Sequence, residues 1–216
     1  MKPYSYIASG LIAAALVSCE NPADKTTTAT VTEAQADTAH AHSHSEEEDP
    51  LFSLTEASTV SFVGSKVTGS HEGGFKEIDG HLHISDSDEV TGGTIHIDMN
   101  STWSDNDKLT EHLKAADFFD VANHPKTTFY LTRVKKESDG KYQISGDLDL
   151  RGVEKNITFP ATASKDGEDI KVQAEFDINR KDWGIEYAGK TDDLIRDEVV
   201  LKLDLVITPH DDTRSH

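Results

Sequence analysis

Three segments of this chain alternate between apolar and polar residues, and this alternation constrains the fold more than any other feature. Apolar or small residues occupy every second position from Tyr142 to Leu150, from Ile170 to Ile178 and from Val199 to Ile207. A period of two places these side chains on one face of a β-strand, so each strand has one dry face and one solvated face. The pattern predicts antiparallel strands.

Weaker strands and one short helix complete the predicted elements. Leu109 and Leu113 lie four residues apart, and Asp105 or Asn106 can cap the first turn of a helix there. Only this small helix is available to cover about eight apolar strand faces, so an all-β barrel or sandwich is expected, and periodicity does not choose between them. The weaker strands are predicted at Thr59 to Lys66, Phe75 to Ile84, Val90 to Met99, Thr127 to Lys135 and Lys155 to Ala163.

The charge balance excludes one class of partner. The 216 residues include 40 Asp and Glu against 21 Lys and Arg, for a formal charge of -19. A chain this acidic is repelled by phosphate backbones, so we expect no nucleic-acid partner. The single cysteine, Cys19, excludes an intrachain disulfide.

The N-terminus has the pattern of an export signal. Lys2 precedes an apolar run from Ile7 to Val17, which is too short to cross a hydrocarbon core of roughly 30 Å. The run ends in Leu16-Val17-Ser18-Cys19, which resembles the lipobox of bacterial lipoproteins. That resemblance implies that residues 1–18 are a signal peptide and that an acylated Cys19 anchors the protein to a membrane. We therefore expect the domain in the cell envelope, in the periplasm or at the cell surface.

Residues 19–50 are acidic and poor in apolar side chains, so we expect a disordered tether before a domain at 51–208 and a polar tail at 209–216. The tether carries His40, His42 and His44 next to the acidic run 46–49. Imidazoles beside carboxylates can collect a transition metal weakly, although a solvated spacer is the simpler interpretation.

Four blocks of sequence, in order, resemble the YceI-like family, and the stretch from Gly69 to Gly74 agrees with them. The resemblance covers nearly all of Thr55 to Thr208 and implies a lipocalin-like, eight-stranded antiparallel barrel. It also implies that the barrel interior binds a long apolar lipid, a polyisoprenoid or related amphiphile. We expect no cofactor apart from such a bound lipid. The oligomeric state stays open. The blocks run from His112 to Phe129, from Gly146 to Val153, from Ile178 to Ile185 and from Ile195 to Val199.

Apolar residues on the dry faces are the candidates for lining such a cavity, with packing of the barrel core as the alternative role. The bulk of Trp103 and Trp183 can shorten or block the space. Charged residues on either side of the long connection from Arg180 to Arg196 are expected to fix it through salt bridges or backbone hydrogen bonds, with a contact of Arg180 to a polar headgroup as the alternative. These residues are Arg180, Asp182, Arg196, Asp197 and Glu198. The candidate lining residues are Phe62, Ile95, Ile97, Phe129, Leu148, Phe176, Trp183 and Leu201.

The competing functions are less well supported. His81, His83 and His96 are predicted on outer strand faces, where opposed imidazoles can share a metal ion, but we expect no metal site in the domain. The sequence holds no nucleophile elbow, zincin motif or phosphate-binding loop, and Gly73-Gly74 and Gly92-Gly93 are interpreted as turn glycines, so no catalytic residue is predicted. The alternative function is a ligand-free or metal-binding envelope module that acts through protein contacts.

Overall fold

The computed structural model describes residues 21–34, 51–85, 89–191 and 193–210. Within these residues the chain forms fourteen strands, one α-helix and three short 3-10 turns, at Pro22–Lys25, Met99–Ser101 and Arg180–Trp183. The strands and the helix are β1 (Thr27–Thr28), β2 (Thr30–Glu33), β3 (Leu51–Leu54), β4 (Thr59–Lys66), β5 (Gly69–Phe75), β6 (Ile78–Ile84), β7 (Val90–Asp98), β8 (Thr102–Ser104), α1 (Asp107–Lys114), β9 (Lys126–Ser138), β10 (Lys141–Leu150), β11 (Val153–Asp166), β12 (Asp169–Asn179), β13 (Gly189–Lys190) and β14 (Asp193–Pro209).

The predicted barrel is confirmed. Antiparallel pairs lead from β12 through β11, β10, β9, β7 and β6 to β3, and β14 closes the ring by pairing with both β3 and β12. The wall has eight strands because β3 and β4 pair with successive parts of β14, and β5 and β6 continue one another in the same way. Closure removes the exposed edges that an open sheet of this size would leave.

The predicted short helix is also confirmed, as α1. The side chain of Asn106 accepts a hydrogen bond from the backbone N–H of Leu109 at 3.1 Å, so Asn106, and not Asp105, is the N-cap. Leu113, on the inward side of this helix, is buried in the main apolar cluster, and Leu109 packs against the same cluster. The helix covers one end of the barrel, which also carries the turn between β4 and β5 and the hairpin of β13 with β14. We call this the helix end.

One predicted strand has the wrong limits. The prediction from Phe75 to Ile84 joins two strands, because β5 ends at Phe75 and β6 begins at Ile78. It also omits the residues from Gly69 onward, which pair with β4 along its length. Glycine has a low intrinsic preference for strands, so the glycine-rich half of this wall strand gives a weak sequence signal.

The prediction of a disordered tether is wrong for residues 21–34, which form part of the barrel wall. β11 and β12 pair directly only from Thr162 and Gln173 toward their shared hairpin. Nearer the helix end the N-terminal segment lies between them, with β1 parallel to β12 and β2 antiparallel to β11. Ala29 is buried in the main apolar cluster and Val31 packs against it. A run of mostly β-branched residues therefore supplies a strand despite the polar composition.

Several sequence-based predictions lie outside the described residues. These are the signal peptide, Cys19, the histidines of the tether and the tail after residue 210. Of the helices that the structure describes, none combines the length and the apolar character needed to cross a bilayer. The apolar faces of the wall strands pack into one large cluster and one smaller cluster near β3 and β6.

Candidate functional site

All eight predicted lining residues belong to the two apolar clusters of the barrel, and six of them form two rows across the wall. Leu201 on β14 is the register partner of both Phe62 on β4 and Phe176 on β12. On another part of the wall, Phe129 on β9 is the partner of both Ile95 on β7 and Leu148 on β10. Opposed residues of antiparallel strands point to the same face, so each row presents three apolar side chains to the interior.

Burial divides these eight residues into two groups. Phe62, Leu148, Phe176 and Trp183 have between 0% and 8% of their surface exposed. They pack as core. The other four also face inward but are only partly buried. These four are Ile95, Ile97, Phe129 and Leu201.

Trp183 closes the interior at the helix end. Its side chain is completely buried, and its indole Nε1–H donates a hydrogen bond to the backbone carbonyl of Leu148 at 3.2 Å. Met99, Leu113, Phe118 and Val121 belong to the same buried cluster. Trp183 is therefore part of the packed core at this end.

Trp103 does not enter the interior. Its residue partner is Gly74 on β5, and a Cβ built on Gly74 would lie 3.1 Å from the indole Nε1. Gly74 also pairs with Ser61, whose neighbour Phe62 points inward, so Gly74 and Trp103 share the outer face. The residue is 36% exposed, in keeping with this outer position.

The interpretation of Gly73-Gly74 and Gly92-Gly93 as turn glycines is wrong, because all four lie within strands. A Cβ on Gly73 would lie 2.4 Å from Cζ of Phe62, and one on Gly93 would lie 2.3 Å from Cδ2 of Leu82. A Cβ on Gly146 would likewise lie 2.2 Å from Cζ of Phe129. At these positions the absence of a side chain lets a large neighbour lie flat along the inner wall.

Arg180 holds the connection between β12 and β14. Only 4% exposed, it donates from Nε to the carbonyl of Arg196 at 3.1 Å, from Nη2 to Oδ1 of Asp197 at 3.0 Å, and from Nη1 to the carbonyl of Ile185. Burial lowers the pKa of this guanidinium, and Asp197 and Glu198 oppose that shift. All three donor groups are engaged within the protein. These contacts fit the structural role predicted for Arg180 and not the alternative contact with a lipid headgroup.

Thr127 was missed by the sequence analysis. It lies on β9 opposite Ile97, two residues before Phe129, so it shares their inner face. The residue is 4% exposed, and its hydroxyl Oγ1 has no hydrogen-bond partner among the described residues. The alternation of β9 already placed Thr127 on the dry face, where a hydroxyl is unusual.

The described residues do not assemble the strand histidines into a metal site. The rings of His81 and His83 are 5.4 Å apart, but His96 lies opposite Asp79 and its Nδ1 is 3.2 Å from the hydroxyl of Thr128. Within the part of the chain that the structure describes, no three His, Cys, Asp or Glu side chains are grouped to hold a metal ion. The histidines of residues 40–44 lie outside that part.

The described residues form two grooves that no predicted lining residue borders. The larger, about 750 Å³, is bordered by polar side chains that include Gln143, Gln173 and Lys202, and also by Ala161, Ala174 and Leu203, which belong to the apolar clusters. The smaller, about 530 Å³, lies between β3 and β6 beside His81 and His83. Both grooves are bordered by polar and apolar side chains together, whereas Ile97 and Leu201 lie on the apolar, inward-facing surface, which is the better candidate site.

Comparison with known proteins agrees with this architecture. The family model described as "YceI-like domain" matches residues 52–207. A "UPF0312 protein" of Pseudomonas putida is 34% identical over 127 residues, which are 55% of this chain and 66% of that relative. The matched region thus spans just under two thirds of the relative's own length.

Two solved structures share the fold. BcnA of Burkholderia cenocepacia superimposes with a TM-score of 0.65 at 23% identity, over 71% of this chain and 98% of that one. A protein from Saccharophagus degradans, described as a polyisoprenoid binding domain implicated in plant cell wall breakdown, superimposes with a TM-score of 0.60 at 21% identity. That alignment covers 74% of this chain and 98% of the other.

Proposed function

Since the chain belongs to the YceI-like domain family, we propose that its barrel binds a long apolar lipid, a polyisoprenoid or related amphiphile, in the interior. The observation that carries the proposal is the partial exposure of Ile97, Phe129 and Leu201, which face inward in a closed barrel. Inward-facing apolar surface that the protein leaves partly exposed is stabilised when an apolar guest covers it. The polyisoprenoid-binding domain of Saccharophagus degradans, which has the same fold, supports this class of ligand.

The hydrophobic effect is large enough to hold such a ligand without charged contacts. Burying each CH₂ group contributes about 0.8 kcal/mol, so a ten-carbon segment contributes roughly 8 kcal/mol before the cost of ordering the chain. The apolar rows around Phe129 and Leu201 provide the surface for this burial. We assign no catalytic residue and no further cofactor to the site.

We also propose that the protein acts in the cell envelope as a lipoprotein. The support is the sequence from Leu16 to Cys19, which has the order of a lipobox after a short apolar run. Acyl chains on Cys19 would anchor the protein to a membrane, since each buried CH₂ again adds about 0.8 kcal/mol. The ligand and the anchor are thus separate lipids at separate sites.

Organic extraction of the purified protein, followed by mass spectrometry, tests the ligand. We expect an apolar lipid in stoichiometric amount, and metal analysis of the same sample tests the alternative module. Protein that carries no lipid and takes up none from a polyprenyl mixture would refute the proposal.

Cell fractionation tests the anchor independently. The Cys19→Ser variant is expected in the soluble envelope fraction, whereas the wild-type protein is expected with the membranes. The ligand assay on both proteins should give the same occupancy, because Cys19 precedes the barrel wall. Membrane association that survives the substitution would contradict the lipoprotein assignment.

A further inference from the structure

The first described residue, Asn21, is fixed to the outer wall near the helix end. Its Oδ1 lies 3.3 Å from the hydroxyl of Ser65, which donates to it, and the residue is only 9% exposed. Ser65 is the second-last residue of β4, so this contact lies close to the rim. The turn Pro22–Lys25 then lies against β14, and β1 continues into the wall.

The same rim exposes apolar side chains. Val67, in the turn after β4, is 56% exposed, and Leu194, at the start of β14, is 49% exposed. They are adjacent, because the backbone N–H of Val67 donates to the carbonyl of Leu194 at 3.2 Å. Among the described residues, three large apolar side chains are exposed, and these are two of them.

The covalent chain sets how far this rim can lie from an anchor on Cys19. Only Glu20 separates Cys19 from Asn21. Two successive Cα to Cα steps span at most about 7 Å, and Val67 lies about 7 Å along the strand direction beyond Ser65. The sequence composition predicted a flexible tether of some thirty residues between the anchor and the barrel. Because Asn21 already contacts the barrel wall, the anchor at Cys19 stays close to this rim.

We propose that the helix-end rim, through Val67 and Leu194, docks against the lipid bilayer when Cys19 is acylated. This inference rests on the lipid anchor proposed above and fixes the orientation of the barrel on the membrane. With a net charge of -19, the chain is not drawn to anionic headgroups, so the contact depends on the anchor and on the two apolar side chains.

Single introduced cysteines can report the orientation, because Cys19 is the only cysteine of the chain and acylation consumes its thiol. Val67→Cys and Leu194→Cys place a thiol on the rim. Glu168→Cys, in the exposed turn between β11 and β12, places the matched control at the opposite end. The acylated proteins are added to the outside of preformed phosphatidylcholine vesicles and labelled with a water-soluble maleimide. Each is compared with its Cys19→Ser counterpart in the presence of the same vesicles.

We expect the anchored protein to label at Val67→Cys and Leu194→Cys more slowly than its unanchored counterpart, on the order of tenfold, because a thiol in apolar surroundings is inaccessible and less ionised. Glu168→Cys should label equally fast in both. Equal labelling at all three positions, in protein that sediments with the vesicles, would overturn the orientation alone. Protein that does not sediment would overturn the anchor and the orientation together, while lipid extraction would still test binding in the interior.

Discussion

The hydroxyl of Thr26 donates a hydrogen bond of 2.7 Å to Oδ1 of Asp177, which lies 151 residues further along the chain. Asp177 is only 1% exposed, and its backbone carbonyl accepts a second bond from the N–H of Ala29 at 2.8 Å. The N-terminal segment therefore covers a carboxylate on the outer face of β12 and donates one hydrogen bond to it and one to the backbone of the same residue. A buried carboxylate that loses such a contact retains much of its desolvation cost.

This contact predicts that the N-terminal segment contributes to stability. Thr26→Val keeps the side-chain shape but removes the donor to Asp177, so the free energy of unfolding should fall by about 1.5 to 3 kcal/mol, the range for hydrogen bonds to charged groups. Thr32→Val, at an exposed position of β2, is the matched control and should change it by less than about 0.5 kcal/mol. Urea denaturation measures both. Equal, negligible effects would mean that the segment is not docked in solution.

The glycines of the inner wall give a second prediction. Gly73→Ala would bring a Cβ to 2.4 Å from Phe62 and 2.6 Å from the carbonyl oxygen of Trp103, so the wall must shift, at a cost of about 1 to 3 kcal/mol. Gly64→Ala on the paired strand meets nothing within 4 Å and should be neutral or stabilising by up to about 1 kcal/mol. Thermal melts of the two variants should move in opposite directions, or only that of Gly73→Ala should fall.

The alternation along β10, β12 and β14 made the strands and their inner faces predictable, because a period of two follows from local geometry alone. How deeply each inward side chain is buried could not be predicted from this period. Phe176 and Leu201 are register partners, yet Phe176 is buried and Leu201 is partly exposed. The difference arises from the side chains that each residue meets in the assembled barrel. Phe176, for example, stacks on Phe159 of the neighbouring strand β11, with 4.1 Å between the ring centroids.

The N-terminal strand escaped prediction for a related reason. Thr28, Ala29, Thr30 and Val31 alternate in the manner of a strand, but the residues around them are polar and acidic. Whether Ala29 can be buried depends on the separation of β11 from β12, which arises only in the assembled barrel. Tertiary context thus overrode a composition that predicts disorder when the segment is considered alone.

His96 gives a prediction for pH dependence. Burial lowers its pKa from the ordinary value of 6.5, Lys126 lowers it further, and Asp79 opposes the shift. The unfolded chain then binds the proton more readily than the folded protein, so stability contributed by neutral His96 is lost as the pH falls below 6.5 toward the folded pKa. Urea denaturation between about pH 8 and about pH 5 should show wild type losing stability relative to His96→Gln. Parallel profiles for the two proteins would contradict this assignment.

Two adjacent threonines on β9 test the unpaired interior hydroxyl. Thr127→Val removes a buried hydroxyl without a described partner and should raise the free energy of unfolding of lipid-free protein by about 1 kcal/mol. Thr128→Val is the matched control, because the hydroxyl of Thr128 lies 3.2 Å from Nδ1 of His96. This variant should lower the free energy of unfolding by about 1 kcal/mol. If Thr127→Val is as destabilising as Thr128→Val, the Thr127 hydroxyl has a partner in solution.

The last prediction separates lining residues from core residues by adding bulk. Ile97 faces inward but is partly exposed, so Ile97→Phe should narrow the interior space and lower lipid occupancy, while changing the free energy of unfolding by less than about 1.5 kcal/mol.

Leu148 is the matched core position, since it is 8% exposed and its carbonyl already accepts a hydrogen bond from Trp183. Leu148→Phe should cost about 1 to 3 kcal/mol through overpacking. Native mass spectrometry reports occupancy, and thermal melts of the same samples report stability. If Ile97→Phe loses stability while keeping its full load of lipid, Ile97 belongs to the packed core and the ligand does not lie against β7.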